Sequence, residues 1–164
     1  MSDVAIRDAE PADAESIALI YNQGIEDRLA TLETETRSAE ERRCWLVARG
    51  SRHPVIVAEV DGKVVGWGSL NSFNPRQAYD YVADFSVYVG REWRGRGVGH
   101  RLLEALIARG RELGYHKLVL AAFPFNAAGI ALYRRLGFVE VGVCREQGRL
   151  DGRWVDVVVM ERIL

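Results

Sequence analysis

The sequence predicts one mixed α/β domain, and three observations carry that expectation. Runs rich in β-branched residues alternate along the chain with stretches whose apolar residues recur at helical spacing. The dipeptide Asp61-Gly62, set between two such runs, is a strong hairpin signal. Residues 117–122 form a continuous apolar run just after a helical stretch, the pattern of a parallel strand buried on both faces. At 164 residues, with no repeat, low-complexity tract or linker, the chain is expected to be a single domain over 1–164.

Each element has its own signal. Residues 4–7 read as a first strand. Glu10 and Pro11 then mark a helix start, and Ala14, Ile17, Tyr21 and Ile25 share a helical face, so a helix is expected over 11–25. Residues 26–37 are polar and aperiodic, a loop that exposes Thr34 and Glu35. Ser38 with Glu41 is a capping box and opens a second helix over 38–49. A strand at 54–60 returns as a strand at 63–71, where Gly66 and Gly68 point to a bulge or a close neighbour. Residues 72–81 form a loop, and 82–89 the next strand. Val98, Leu102 and Leu106 then mark a helix that Gly114 ends. After the strand at 117–122, Asn126 caps a helix to Leu136, with Ala128, Leu132 and Leu136 as its core stripe. Residues 138–143 and 153–163 read as two strands joined by a polar turn at 150–152.

The turn from Gly90 to Gly99 carries the chemistry. Gly95, Gly97 and Gly99 let the backbone come close to a ligand and take positive φ. The helix that follows begins with amides that lack an intrahelical acceptor, at the positive end of its dipole. Arg91, Arg94 and Arg96 add charge that suits a phosphate or diphosphate. A phosphate-bearing ligand is therefore expected at residues 94–100. The turn lacks the Gly-Lys-Ser/Thr of a P-loop. Its G-x-G-x-G spacing is not the G-x-G-x-x-G of a dinucleotide fold.

What stands there is R-x-x-G-x-G, from Arg94 to Gly99, after a strand ending Val87-Tyr88-Val89. It resembles the coenzyme A loop of the GNAT acyltransferase superfamily. A second stretch agrees with it: Asn126, then Tyr133 seven positions on, then Leu136-Gly137-Phe138, similar to that superfamily's Asn-to-Tyr helix. Residues 78–89, Tyr21-Asn22, the Thr34-Glu35 loop and Gly152-Arg-Trp154 resemble its phosphinothricin/methionine sulfone N-acetyltransferase branch over essentially the whole chain. The resemblance implies a mostly antiparallel mixed sheet with a splayed central parallel pair, flanked by helices. It implies acetyl-CoA as cofactor, held by Val87, Tyr88, Val89, Arg94, Gly95, Arg96, Gly97, Val98, Gly99, His100 and Asn126. It also implies a homodimer.

The implied reaction is attack of an amine on the acyl thioester, for which a base must take a proton. The branch has a glutamate two residues before its Ser/Thr-Val-Tyr-Val run; here that position is Asp84, one methylene shorter. Two readings stand for it: a base acting through water, or a satisfied structural carboxylate. Tyr133 is either the acid that protonates the departing thiolate or a packed core tyrosine. Asn126 is a plain helix cap, a cofactor contact, or both. A backbone amide of residues 87–89 is the candidate oxyanion donor. Thr34, Glu35, Arg76 and Tyr79 are the candidates for the acceptor, with Arg149 as another cation for a substrate carboxylate. Three functions remain open: acetylation of a small amino-acid-like amine, acetylation of a protein or peptide amine, and acyl-CoA sensing without catalysis.

Composition excludes other classes. Net charge is −1 and the basic residues of interest are confined to one loop, so nucleic acid is not an expected partner. No apolar run approaches the about 20 residues of a membrane span, and the first residues lack the apolar stretch of a signal peptide. Cys44 and Cys144 read as free thiols of a cytoplasmic protein, and no His/Cys/Asp/Glu spacing suggests a metal.

Overall fold

The hydrophobic alternation of the strands is resolved into two cores, one on each face of a single sheet. A computed structural model describes residues 3–164. The strands are β1 (Ala5–Asp8), β2 (Val55–Val60), β3 (Lys63–Ser72), β4 (Val82–Val89), β5 (Lys117–Ala122), β6 (Val139–Leu150) and β7 (Arg153–Ile163). The helices are α1 (Ala14–Glu26), α2 (Ala39–Val47), α3 (Val98–Glu112) and α4 (Ala127–Arg135). The sheet order is β1-β2-β3-β4-β5-β7-β6, and among the described residues only β4 and β5 pair in parallel. This is the mixed, mostly antiparallel sheet with one central parallel pair that the sequence resemblance implies.

Successive residues of β2 show the division. Val55 and Val57 pack with Ile17, Ile20, Tyr21 and Ile25 of α1 and with Trp67. Ile56, Ala58 and Val60 pack with Leu102, Leu103 and Leu106 of α3. The period of two thus feeds both faces. The helix expected from residue 11 begins with a 3-10 turn, Pro11–Asp13, before α1. The Ser38/Glu41 capping box is present in full.

Gly66 and Gly68 serve both purposes that the sequence left open. The register of β2 and β3 shifts between Ala58 and Glu59, opposite Gly66. The same glycines lie directly under α3. A Cβ at Gly66 would stand 3.0 Å from Leu102 Cδ1 and 3.1 Å from the Tyr88 carbonyl oxygen.

Two expectations need correction. β6 runs from Val139 to Leu150, well past residue 143, because two register shifts interrupt its alternation. A bulged, polar edge strand has no period-two signal to read. Its hairpin turn is at Asp151 and Gly152, both at positive φ. On α4, Ala128 is exposed. The inward residues are Ile130, Leu132, Tyr133 and Leu136. Nine residues of helix lying across a curved sheet bury a wider face than one i, i+4 stripe.

Because backbone and α3 side chains both crowd Gly66, Gly66→Ala is expected to lower stability by about 1–3 kcal/mol. Urea denaturation measures it, and a variant as stable as the parent would show that α3 can lift off β3 at no cost.

Candidate functional site

The parallel ladder between β4 and β5 is short. Val82, Ala83 and Asp84 pair with Lys117, Leu118 and Val119, and there it stops. Beyond that point each strand follows its outer neighbour. β4 stays paired with β3 through Val89, and β5 stays paired with β7 through Ala122. The two halves of the sheet therefore diverge. A cavity of about 190 Å³ opens between them, lined on the β4 side by residues 84–88 and on the β5 side by residues 120–122. Asn126 and Tyr133 from the α4 side, and Leu29 and Ala30 from the loop after α1, complete the lining. The backbone groups of β4 that would have bonded β5 face this space, where a ligand or water can meet them.

Asp84 stands where the ladder ends. One carboxylate oxygen, Oδ1, accepts from Asn71 Nδ2 at 3.4 Å. Burial raises its pKa to about 6, with the Asn71 bond working against the rise. Tyr133 reaches the same cavity from α4. Its ring packs edge-on against Phe85, centroids 5.9 Å apart, and near Phe138 at 6.3 Å. Burial, reinforced by the Asp84 charge, pushes the phenol pKa upward, so the hydroxyl stays protonated at neutral pH. Asn126 caps α4, its Oδ1 accepting from the Gly129 amide at 3.1 Å, and also lines the cavity.

The glycine turn leads from β4 into α3. Gly95 and Gly97 sit at φ +73 and +85, and a Cβ at either would meet nothing within 4 Å, so the turn is open on the ligand side. Gly97 is the N-cap and supplies no side-chain acceptor. The first helical bond runs from the Arg101 amide to the Gly97 carbonyl. The amides of Val98, Gly99 and His100 are thus left for an anion. Val98 turns its own side chain into the core. The arginines behave differently from the sequence expectation. Arg91 and Arg94 both pair with Asp27 at the end of α1, Arg91 at 2.9 Å, and pin the turn to that helix. Arg96 lies over the Trp93 ring and is in no ion pair among the described residues. Backbone amides with a single uncommitted guanidinium fit a diphosphate.

The candidate acceptor residues do not gather at this cavity. Thr34 and Glu35 are exposed and outside its lining. The same loop contributes Leu29 and Ala30 instead, held down by Arg28 on Asp151 at 2.8 Å and by Leu32 against Gly148. Arg76 is exposed. Tyr79 lines a separate cavity with Arg52, His53 and Tyr115, at the other end of β4. Arg149 lies over the Trp154 ring. The sequence reading missed Asn71 and Ser86. Their signal was register: Asn71 stands near the end of β3, directly opposite Asp84. Among the described residues no His, Cys, Asp and Glu cluster could hold a metal ion.

The raised pKa of Asp84 has a consequence for stability. Its folded value lies above the ordinary 3.8, so ionisation costs the fold. The cost is absent below about pH 4, grows between about pH 4 and 6, and is complete above. Asp84→Asn is expected to gain about 1–2 kcal/mol over the parent at about pH 8 relative to about pH 4, after a discount for partial solvent contact. Urea denaturation at the two pH values tests this, and an equal difference at both removes the perturbation.

The comparisons with known proteins agree with the geometry. The profile of the Acetyltransferase (GNAT) family matches residues 20–138. An L-methionine sulfoximine/L-methionine sulfone acetyltransferase of Pseudomonas paraeruginosa is 37% identical over 159 residues, which is 96% of this chain and 92% of the relative. The crystal structure of a ribosomal-protein-alanine N-acetyltransferase from Brucella melitensis superposes with a TM-score of 0.94 at 39% identity, covering 98% of this chain and 99% of that one. That of a phosphinothricin acetyltransferase from Sinorhizobium meliloti, in complex with acetyl-CoA, superposes with a TM-score of 0.92 at 32% identity, covering 98% and 88%. A splayed strand pair, a glycine turn feeding α3 and matches of this length have one common explanation: the chain belongs to the GNAT family of acetyltransferases.

Proposed function

We propose that this protein transfers the acetyl group of acetyl-CoA to the amine of a small amino acid of the methionine sulfone or phosphinothricin kind. The observation that carries the reading is the cavity at the strand divergence, where Asp84, Tyr133 and the free edge of β4 converge. Its modest volume, and the loop strapped across it by Arg28 and Leu32, favour a compact acceptor over a polypeptide. The name of the Brucella structure keeps a protein N-terminus as the second reading. A sensor without turnover would have no use for a free phenol at the cavity.

Bound acetyl-CoA supplies an activated acetyl thioester. The amides of Val98, Gly99 and His100, with Arg94, Gly95, Arg96 and Gly97 shaping the turn, hold its diphosphate. Asn126 borders the path to the cavity. The incoming ammonium is not a nucleophile, and Asp84 takes its proton, directly or through water. With a pKa of about 6 it is mostly ionised at neutral pH and still basic enough to accept. As the C–N bond forms and the C–S bond breaks, a backbone amide among Val87, Tyr88 and Val89 donates to the carbonyl oxygen where negative charge develops. Tyr133 gives its proton to the departing thiolate, and the second proton that the nitrogen sheds on becoming an amide returns to the tyrosinate through water. The products are the N-acetyl amine and free coenzyme A.

Two further features belong to this reading. Edge strand β6 exposes Val139, Val141 and Val143, which favours pairing with a second copy as a homodimer. Free thiols at Cys44 and Cys144 favour a reducing, cytoplasmic setting.

Thiol release from acetyl-CoA, followed with a panel of amino acids including methionine sulfone and phosphinothricin, and with alanine-terminated peptides, tests the function. Turnover with the small amino acids is expected; binding of acetyl-CoA without turnover on any amine would replace the enzyme with a sensor. Tyr133→Phe is expected to lower kcat by about 10²-fold with acetyl-CoA affinity kept within a few-fold. An unchanged single-turnover rate would remove the tyrosine from proton transfer. Light scattering is expected to give twice the chain mass, and a monomer at that concentration ends the dimer reading.

A further inference from the structure

We propose that Arg49 and Asn71 form a positioning relay for Asp84, in which the guanidinium locks the Asn71 amide so that its N–H group faces the carboxylate. The proposal rests on the reading of Asp84 as the proton acceptor. Neither residue touches substrate, so both are positioning residues.

The geometry leaves little freedom. Arg49 follows α2 and is half-buried, its guanidinium 4.4 Å from the Trp45 ring centroid. Nε donates to the His53 carbonyl at 2.8 Å, and Nη2 donates to the Leu70 carbonyl and to Asn71 Oδ1, the latter at 2.9 Å. An arginine can only donate, so the oxygen of the Asn71 side chain must be the atom that faces it. Ser69 Oγ, 3.0 Å from the same oxygen, agrees with that orientation. The Asn71 NH₂ group is thereby turned toward β4, where it meets Asp84 Oδ1 at 3.4 Å and Ser86 Oγ at 3.2 Å.

The relay explains an otherwise costly feature. Arg49 holds its charge in a half-buried place with no carboxylate in contact among the described residues, and burial lowers its pKa to about 10. Its donors go instead to three oxygens around the end of β3. The groups facing Asp84 from other elements are few. Tyr133 comes from α4, Val119 lies opposite on β5, and Ser86 shares its strand. Asn71 is the one donor that the carboxylate has among the described residues. A donor aimed at the ionised form opposes the burial that would otherwise keep Asp84 protonated.

The test reads Asp84 twice in each protein. One reading is the acid limb of the kcat/KM–pH profile for acetyl transfer, and the other is the carbon-13 NMR titration of the Asp84 carboxyl. Asn71→Leu keeps volume and removes the donor. Both readings are expected to move to higher pH together, by about half to one pH unit. Asn71→Asp keeps shape and sets a carboxylate oxygen where the donor was, so it moves them further the same way, and it stands in if Asn71→Leu does not fold. Arg49→Met frees the amide to rotate; it is expected to shift both readings upward alone and to add little in the Asn71→Leu background. A merely structural role would lower melting temperature and leave the Asp84 titration where it is, and that result, or additive shifts in the double variant, overturns the relay. Asp84→Asn separates the two claims. Should it retain parental activity with the acid limb intact, the base assignment fails, while the NMR titration still decides the relay.

Discussion

The structure depends on the parting of β4 from β5 after three residue pairs. A parallel pair in the middle of a sheet would ordinarily bury every backbone group. Here each strand is held by its antiparallel partner on the outer side, so the inner sides separate without unravelling the sheet. The gap leaves the inner edge of β4 beyond Asp84 unpaired beside the cavity. The helices are arranged about this gap. α3 starts from the end of β4 and α4 from the end of β5, so the glycine turn and the Asn126–Tyr133 wall stand at the ends of the two diverging strands.

Burial then tunes the site with little help from fixed charge. It lifts the Asp84 carboxyl to about 6 and the Tyr133 phenol above its ordinary value. At neutral pH the carboxyl is mostly ionised and the phenol keeps its proton, although the physical cause is the same. The turn shows the complementary economy. Two of its three arginines are spent on Asp27, where they fix the loop on α1. The first amides of α3 are left without an intrahelical acceptor.

The loop between α1 and α2 gives the cavity its second wall. Leu29 and Ala30 are presented there because Arg28 reaches Asp151 and Leu32 packs on Gly148, both at the β6–β7 hairpin. The far end of the sheet therefore helps to shape the cavity. This also gives a reason for β6 to run as long as it does: a strand that stopped at residue 143 would not carry a hairpin out to Arg28.

The sequence by itself determined the order of elements, the glycine turn and the capped helices; Asp84 and Tyr133 were singled out by the family resemblance, and the structure sets both on one cavity. The elements, the turn and the caps are local matters. A period, a cap or a positive-φ glycine is decided by residues within one turn or one strand of each other. Only the tertiary structure decided which loop residues line the cavity, that Arg91 and Arg94 are committed to Asp27, and that Tyr79 belongs to another cavity. It alone set Asn71 across from Asp84 and brought Arg49 to Asn71. Exposed polar residues have no periodic signature, and their partners lie far along the chain. Strand register and helix docking bring them together, and neither is written in any single stretch of sequence.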